Sequence, residues 1–275
     1  MNVLEINNLH KSFASTFTGT SGKAETETSE VLRGISMNLK HATVTALIGS
    51  NGSGKSTLFN VVSGLLKPDK GEVNYRYEDN EYNLMLLPSH RLATIGIARL
   101  FQGNNIFPGL TVLENLMVAD NVRLGEQPWH MLFQYRKTKK AEKYRIEEAE
   151  SILTNLLGSN NPLWEKKDMF AGNLSLGQQR LLAFARLLMN EKAELFLLDE
   201  PCAGVNAVIR EKMAEMIQLL QAHKKTVLLI EHNMDFAQLI ATNAFFLEGG
   251  KIAMDCAMDE MLANNYFRKS YFGEE

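Results

Sequence analysis

The chain alternates between segments patterned like buried strands and segments patterned like amphipathic helices. Residues 195–198 and 226–230 are apolar at almost every position, which is typical of strands buried on both faces of a parallel sheet. Hydrophobic periodicity predicts further strands at 3–6, 31–39 and 43–48. Apolar positions at helical spacing predict helices at 55–66, 138–157, 175–189, 206–222 and 233–241. This alternation predicts a doubly covered α/β sheet.

Two stretches depart from this pattern. Residues 14–30 are rich in Ser, Thr, Gly and Glu and lack periodicity, so we predict a long, mobile surface loop there. Residues 73–87 are irregular and predict short strands of a small antiparallel sheet.

The composition is that of an ordinary globular protein, with 45% hydrophobic and 22% charged residues among 275. The 29 basic and 32 acidic residues give a net charge of −3, so no nucleic-acid partner is expected. Two cysteines exclude a disulfide framework and fit a reducing compartment. We see no secretory signal and no apolar run near the ~20 residues that span a bilayer, so we expect membrane contact only through partners.

The densest chemical signal is a glycine-rich turn between a predicted strand and a predicted helix. It comprises Gly49, Ser50, Asn51, Gly52, Ser53, Gly54, Lys55, Ser56 and Thr57. Glycines let backbone N–H groups approach phosphate oxygens, and the helix N-terminus adds the positive end of its dipole. We expect Lys55 to reach the β- and γ-phosphates of a nucleotide and the Ser56 hydroxyl to ligate Mg²⁺. This spacing arises by chance about 0.01 times in a chain of this length, which disfavours a merely structural turn.

Two carboxylates follow the apolar strand at 195–198. Open α/β sheets place their ligands at the carboxyl ends of their strands. We expect Asp199 to bind the Mg²⁺ through water, and Glu200 to polarise an attacking water as general base. Strands often end in Asp or Glu, so the pair acquires this meaning only beside the phosphate-binding turn.

Residues 174–180 read Leu-Ser-Leu-Gly-Gln-Gln-Arg and precede an apolar helix. Ser175 is suited to cap that helix. The same segment is suited to a second anion site, in which Ser175, Gly177 and the helix dipole face a γ-phosphate. The residues alone favour the helix cap and leave the anion site as the alternative.

In order and over nearly the whole chain, these motifs resemble the ATP-binding subunits of ABC (ATP-binding cassette) transporters. Residues 175–179 resemble the family's signature motif, which implies that Ser175, Gly177 and Gln178 bind nucleotide. Gln102 resembles the glutamine of the loop that senses Mg²⁺ and water, and His232 resembles the switch histidine that stabilises the γ-phosphate.

Two further positions follow from the resemblance alone. Residues 201–206 resemble the loop that crosses the family's dimer interface. Phe13 lies where the family has an aromatic ring against adenine, and Phe17 is the alternative.

The resemblance implies a single ABC ATPase domain over residues 1–275 with a P-loop NTPase (RecA-like) core and a mainly parallel sheet. Residues 1–102 and 190–275 would form the nucleotide-binding core with a small antiparallel β subdomain. Residues 103–189 would form a helical subdomain that includes the signature motif.

The resemblance also implies how the subunits of the transporter assemble. Two such subunits, identical or different, pair head to tail with ATP and Mg²⁺ between them, and separate transmembrane permease subunits convert closure into transport. We therefore expect a cytoplasmic protein that is peripheral on the inner membrane.

Resemblance to the ATPases of the branched-chain amino acid and urea importers is carried by residues 98–102, 110–119, 203–206, 230–234 and 271–273. The segment 14–30 and the stretch 76–85 depart from this branch. Leu176, where the broad family favours glycine, and Asn206, where it favours aspartate, depart from the family as a whole. An exporter ATPase of the lipopolysaccharide type, a non-transport ABC ATPase and a non-hydrolysing cassette remain as alternatives.

Overall fold

The computed structural model describes residues 1–18, 24–103, 106–118, 135–158, 161 and 163–273. Its strands are β1 (Asn2–Thr18), β2 (Ala24–Lys40), β3 (Val44–Ile48), β4 (Lys70–Tyr77), β5 (Asn80–Asn83), β6 (Ile97–Leu100), β7 (Leu195–Asp199), β8 (Thr226–Ile230), β9 (Asn243–Glu248) and β10 (Lys251–Ala257). Its α-helices are α1 (Lys55–Val62), α2 (Val112–Val118), α3 (Tyr135–Leu157), α4 (Leu176–Leu188), α5 (Ala207–Ala222), α6 (Met234–Ile240), α7 (Met258–Ala263) and α8 (Asn265–Phe272).

Six strands form the central sheet in the order β10-β9-β3-β8-β7-β6. Neighbouring strands within this sheet run parallel to each other, except that β10 runs antiparallel to β9. The other four strands form an antiparallel sheet in the order β2-β1-β4-β5.

Alternate residues of the central strands face two different hydrophobic layers. In β7, Leu195 and Leu197 join a cluster with α1 and the antiparallel sheet. Phe196 and Leu198 join a second cluster that contains buried residues of α2 to α8. This arrangement confirms the predicted doubly covered sheet, and it explains why β7 is apolar at every position before Asp199.

The segment at 14–30 is not the predicted loop where the structure describes it. β1 and β2 continue as an antiparallel hairpin, from the pair Ser12 and Glu30 to the pair Thr18 and Ala24. Threonines at 16, 18, 26 and 28 favour strand by β-branching. Residues 19–23 lie outside the described residues.

Other differences concern the end of one helix and several elements that the sequence pattern did not predict. The helix predicted at 55–66 ends at Val62, because Ser63 caps it and Gly64 turns the backbone with φ of +67°. The strands β6, β9 and β10 and the helices α2, α7 and α8 were not predicted. The apolar run at 244–247 and the Gly249-Gly250 pair that follows it are the signals for a hairpin there.

Among the described residues, no helix is both long enough and apolar enough to cross a membrane.

Candidate functional site

The phosphate-binding turn joins β3 to α1 at the carboxyl end of the central sheet. A Cβ on Gly49 would overlap the Leu247 carbonyl oxygen and come within 2.6 Å of the Ser53 Oγ, so only glycine fits. Gly54 precedes α1 with φ of +111° and no side chain caps the helix. The N-terminal N–H groups of α1 therefore meet no capping side chain, which suits the binding of an anion.

Lys55 is the first residue of α1 and is almost fully buried, with 6% of its surface exposed. Its Nζ donates to the carbonyl oxygens of Gly49 at 2.6 Å and Ser50 at 2.9 Å. Burial lowers the pKa of Lys55, while the nearby Glu200 and Asp199 oppose that shift. The ammonium group is thus held inside the turn and close to both predicted carboxylates.

Asp199 ends β7 and is buried. Its Oδ2 lies 3.4 Å from a terminal nitrogen of Arg99, and its Oδ1 has no hydrogen-bond partner among the described residues. Burial raises the pKa of Asp199, and Arg99 and Lys55 oppose that shift.

Glu200 follows Asp199 with a backbone φ of +48°, a left-handed conformation that is uncommon for a non-glycine residue. Its N–H donates to the Ile230 carbonyl oxygen at 3.0 Å. The Gln102 Nε2 donates to its Oε2 at 2.9 Å, and the His232 Nε2 lies 3.3 Å from its Oε1. The structure therefore brings the three predicted residues Glu200, Gln102 and His232 into direct contact.

These contacts follow from the strand order. Gln102 comes soon after β6 and His232 soon after β8, and both strands flank β7. Because parallel strands present their carboxyl ends at one edge, the three side chains converge there.

The predicted signature segment lies at the start of α4. Ser175 and Gln178 form a reciprocal capping box, in which each side chain accepts from the other residue's N–H, at 3.3 Å and 3.2 Å. A Cβ on Gly177 would come within 2.8 Å of the Ile209 side chain on α5. The structure thus confirms the helix cap at Ser175 and gives Gly177 a packing reason. Their contact with a γ-phosphate stays a prediction.

Phe13 lies on β1, opposite Ser29 of β2, and is partly exposed. The Lys11 Nζ lies 5.7 Å from the centre of its ring. Its stacking on adenine stays a prediction, and the side chain of Phe17 lies outside the described residues.

Two charged residues of the site, the buried Glu231 and the half-buried Arg99, were missed by the sequence analysis. Glu231 accepts backbone N–H groups from Cys202, His232 and Asn233 at 3.0, 3.2 and 3.5 Å. Burial raises its pKa, and these hydrogen bonds oppose the shift. Glu231 thus connects the loop after Glu200 to the segment that carries His232.

Arg99 is the second missed residue. The available signal was its position inside β6, because a charge within an apolar strand needs a buried partner. The signal for Glu231 was similar, a carboxylate that directly follows the apolar strand β8.

The residues present fit a magnesium nucleotide. The glycine turn provides a cradle that a Cβ would fill, and two buried oxygens, Ser53 Oγ and Asp199 Oδ1, have no partner among the described residues. No cluster of three or more His, Cys, Asp or Glu side chains that could hold a metal occurs in the part of the chain that the structure describes. A single carboxylate and a hydroxyl suit Mg²⁺, which is bound by few protein ligands together with substrate phosphates.

A glycine-rich turn that joins a parallel strand to a helix, a buried lysine at the start of that helix and two carboxylates at the end of a nearby strand are typical of nucleotide-hydrolysing P-loop proteins. The family model described as ABC transporter matches residues 32–203, which is more than half of the chain. The chain therefore belongs to the ABC transporter family and is an ATP-hydrolysing, nucleotide-binding subunit.

Particular members of the family are similar over most of their length. The high-affinity branched-chain amino acid transport ATP-binding protein LivG of Salmonella typhimurium is 32% identical over 241 residues, which cover 87% of this chain and 91% of LivG. The crystal structure of a nucleotide-free ATP-binding cassette from an ABC transporter is 31% identical, with a TM-score of 0.75 and full coverage of both chains.

A dimeric cassette in a post-hydrolysis state, bound to ADP and phosphate, is 25% identical, with a TM-score of 0.69. The match covers 93% of this chain and 98% of that cassette.

Proposed function

We propose that this chain hydrolyses ATP at the interface of two cassettes and so drives import of amino acids or similar small solutes by separate permease subunits. The observation that carries the proposal is the cluster of Glu200, Gln102 and His232 beside the buried Lys55.

In this proposal each residue has a defined chemical role. Residues 49–57 bind the phosphates through backbone N–H groups, and Lys55 neutralises charge on the β- and γ-phosphates. Glu200 accepts a proton from the attacking water as general base. Gln102 orients Glu200 and the water, and His232 stabilises the γ-phosphate in the transition state.

Ser56, Asp199 and Gln102 are the residues that would hold Mg²⁺. The ion would neutralise charge on the β- and γ-phosphate oxygens.

The chain supplies two parts of the nucleotide site that lie on different elements, the phosphate-binding turn before α1 and the signature segment before α4. We propose that Ser175, Gly177 and Gln178 meet the γ-phosphate of ATP held by the other subunit of a head-to-tail dimer. The N-terminal end of α4 beside an exposed Ser175 supports this proposal, because the positive end of the helix dipole lies there and attracts a phosphate.

Three variants test this dimer. Glu200→Gln slows hydrolysis, so we expect MgATP to shift the purified variant from monomer to dimer in size-exclusion chromatography. In that background, Ser175→Asp keeps a good helix cap but places a negative charge against the partner's phosphate. We expect this double variant to remain monomeric.

The matched control is Ser175→Asn in the same background, since asparagine caps helices equally well and carries no charge. We expect it to dimerise. The dimer proposal fails if the aspartate variant also dimerises, or if no variant responds to MgATP.

The relatives named as branched-chain amino acid transport proteins support amino acids as the solute. We propose that the chain lies on the cytoplasmic face of the inner membrane, bound to permease subunits. Affinity purification of the tagged chain from detergent-solubilised host membranes should recover hydrophobic permease subunits. Uptake of labelled branched-chain amino acids should be lost when Glu200→Gln replaces the wild-type chain.

Recovery of ribosomes or DNA would favour a non-transport ATPase, and unchanged uptake together with a defect in lipopolysaccharide delivery would favour an exporter. Either result would overturn the import proposal.

A further inference from the structure

Arg99 is a cation in β6, the edge strand of the central sheet, three residues before Gln102. Only 7% of its side chain is exposed. A buried guanidinium group in an otherwise apolar strand is costly unless its hydrogen bonds and its charge are matched. The contacts of Arg99 therefore show which groups fix the guanidinium and which group the guanidinium orients.

The guanidinium group is fixed on one side by the end of α1. One terminal nitrogen donates to the Phe59 carbonyl oxygen at 3.1 Å and to the Ser63 Oγ. The group also lies over two aromatic rings, with its central carbon 5.7 Å from the Phe59 ring centre and 4.4 Å from that of Phe101. These contacts leave the group little freedom to rotate.

On the other side, the second terminal nitrogen lies 3.4 Å from the Asp199 Oδ2. It occupies one carboxylate oxygen, while the Oδ1 has no partner among the described residues. The planar guanidinium group therefore fixes the rotation of the carboxylate and leaves one defined oxygen for another ligand.

From this geometry we infer that Arg99 is a positioning residue that orients Asp199 toward the magnesium ion of the bound nucleotide. The inference rests on the proposed role of Asp199 in Mg²⁺ binding. Arg99 also contacts α1 and Phe101, which directly precedes Gln102. It thus connects the phosphate-binding helix, the metal carboxylate and the glutamine loop through one side chain.

The test compares binding of a fluorescent, non-hydrolysable ATP analogue in excess Mg²⁺ and in EDTA. For the wild-type chain we expect Mg²⁺ to tighten binding. For Arg99→Met we expect this magnesium advantage to fall about tenfold, which is the usual size of an effect on a residue that orients a metal ligand. We expect its affinity in EDTA to remain that of the wild type.

Further variants separate charge from orientation and keep the test open if Arg99→Met does not fold. Arg99→Lys keeps the charge but loses the planar fork, and Ser63→Ala removes one anchor of the group without a change in charge. We expect both to reduce the magnesium advantage less than Arg99→Met. The matched control is Arg76→Met on the surface, where Arg76 pairs with Glu5 and Glu81, and it should bind like the wild type.

The outcomes are distinguishable. An unchanged magnesium advantage in Arg99→Met and Arg99→Lys would overturn the inference, because Arg99 would then have no effect on metal binding. A larger magnesium advantage would also overturn it, because the guanidinium charge would then only repel the metal. An equal loss of affinity with and without Mg²⁺ would also overturn it, since Arg99 would then serve the fold alone. If the wild type itself shows no magnesium advantage, the proposed metal role of Asp199 fails first.

Discussion

At the scale of single residues, the backbone of Glu200 is the feature that sets up the site. Asp199 and Glu200 are neighbours in sequence, but the left-handed φ of Glu200 turns the chain sharply at the end of β7. Asp199 therefore meets Arg99, while Glu200 meets Gln102 and His232. Backbone strain of this kind costs of order 1–3 kcal/mol and persists where the surrounding structure enforces it, which is often at functional sites.

The residues that we propose to contact phosphate could be found from the sequence because their motif is local. Lys55 and its glycines lie within nine consecutive positions, and strand and helix signals flank them. Arg99 and Glu231 were missed because their roles depend on contacts between distant parts of the chain. Arg99 lies 100 positions from Asp199, and Glu231 lies 29 positions from Cys202.

Glu231 gives the residue-scale prediction. In Glu231→Gln an NH₂ group replaces one oxygen, so at least one of the N–H groups of Cys202, His232 and Asn233 loses its acceptor. An unsatisfied buried donor costs about 1–3 kcal/mol. We expect urea denaturation to report a loss of this size and ATP turnover to fall, because the segment with His232 loosens.

Glu211→Gln is the control for this change, since Glu211 is exposed on α5 and should tolerate the same substitution. Equal stability of Glu231→Gln and the wild type would contradict the structural role given to Glu231.

At the scale of elements, the hairpin of β1 and β2 is the largest departure from the sequence-based prediction. Apart from Phe13 and Phe17, residues 12–18 and 24–30 are polar or small, so the sustained alternation of apolar and polar positions that identifies a half-buried strand is absent. The pairing continues from strands whose buried parts were predicted correctly, at 3–6 and 31–39. The cross-strand hydrogen bonds of such an extension leave no mark in the hydrophobic pattern.

Asp69 fastens the base of this hairpin. Its carboxylate accepts from the Lys11 Nζ at 2.8 Å and from the Ser12 N–H at 2.6 Å. The first of these bonds makes the largest contribution to lowering the pKa of Asp69 below its ordinary value of 3.8. A carboxylate with a depressed folded-state pKa stabilises the fold above its unfolded pKa, and this stabilisation is lost as the pH falls through the folded pKa.

We therefore expect Asp69→Asn to lower the urea midpoint slightly at neutral pH, because the ion pair with Lys11 is lost. The difference from the wild type should shrink as the pH falls below 3.8. Urea titrations of both proteins over a pH series measure this. A difference that does not change with pH would show that the carboxylate charge contributes nothing at this junction.

At the scale of the whole molecule, the alternation of strand and helix was enough to predict a doubly covered α/β sheet, whereas the P-loop fold with a mainly parallel sheet followed from the resemblance of the motifs to a known family. The strand order β10-β9-β3-β8-β7-β6 was not predictable from local pattern, because it depends on which crossover brings each strand beside another. That order places β6 and β8 on either side of β7. It thereby gathers Gln102, Glu200 and His232 from positions that span more than a hundred residues.

The central claim is that this cluster makes the chain an ATPase, and ATP turnover by the purified protein tests it most directly. We predict that the wild-type chain hydrolyses ATP. Glu200→Gln should retain ATP binding but lose turnover by a factor of about 10²–10⁴, the usual contribution of a general base. The account is contradicted if wild type and Glu200→Gln bind ATP and hydrolyse it at the same rate.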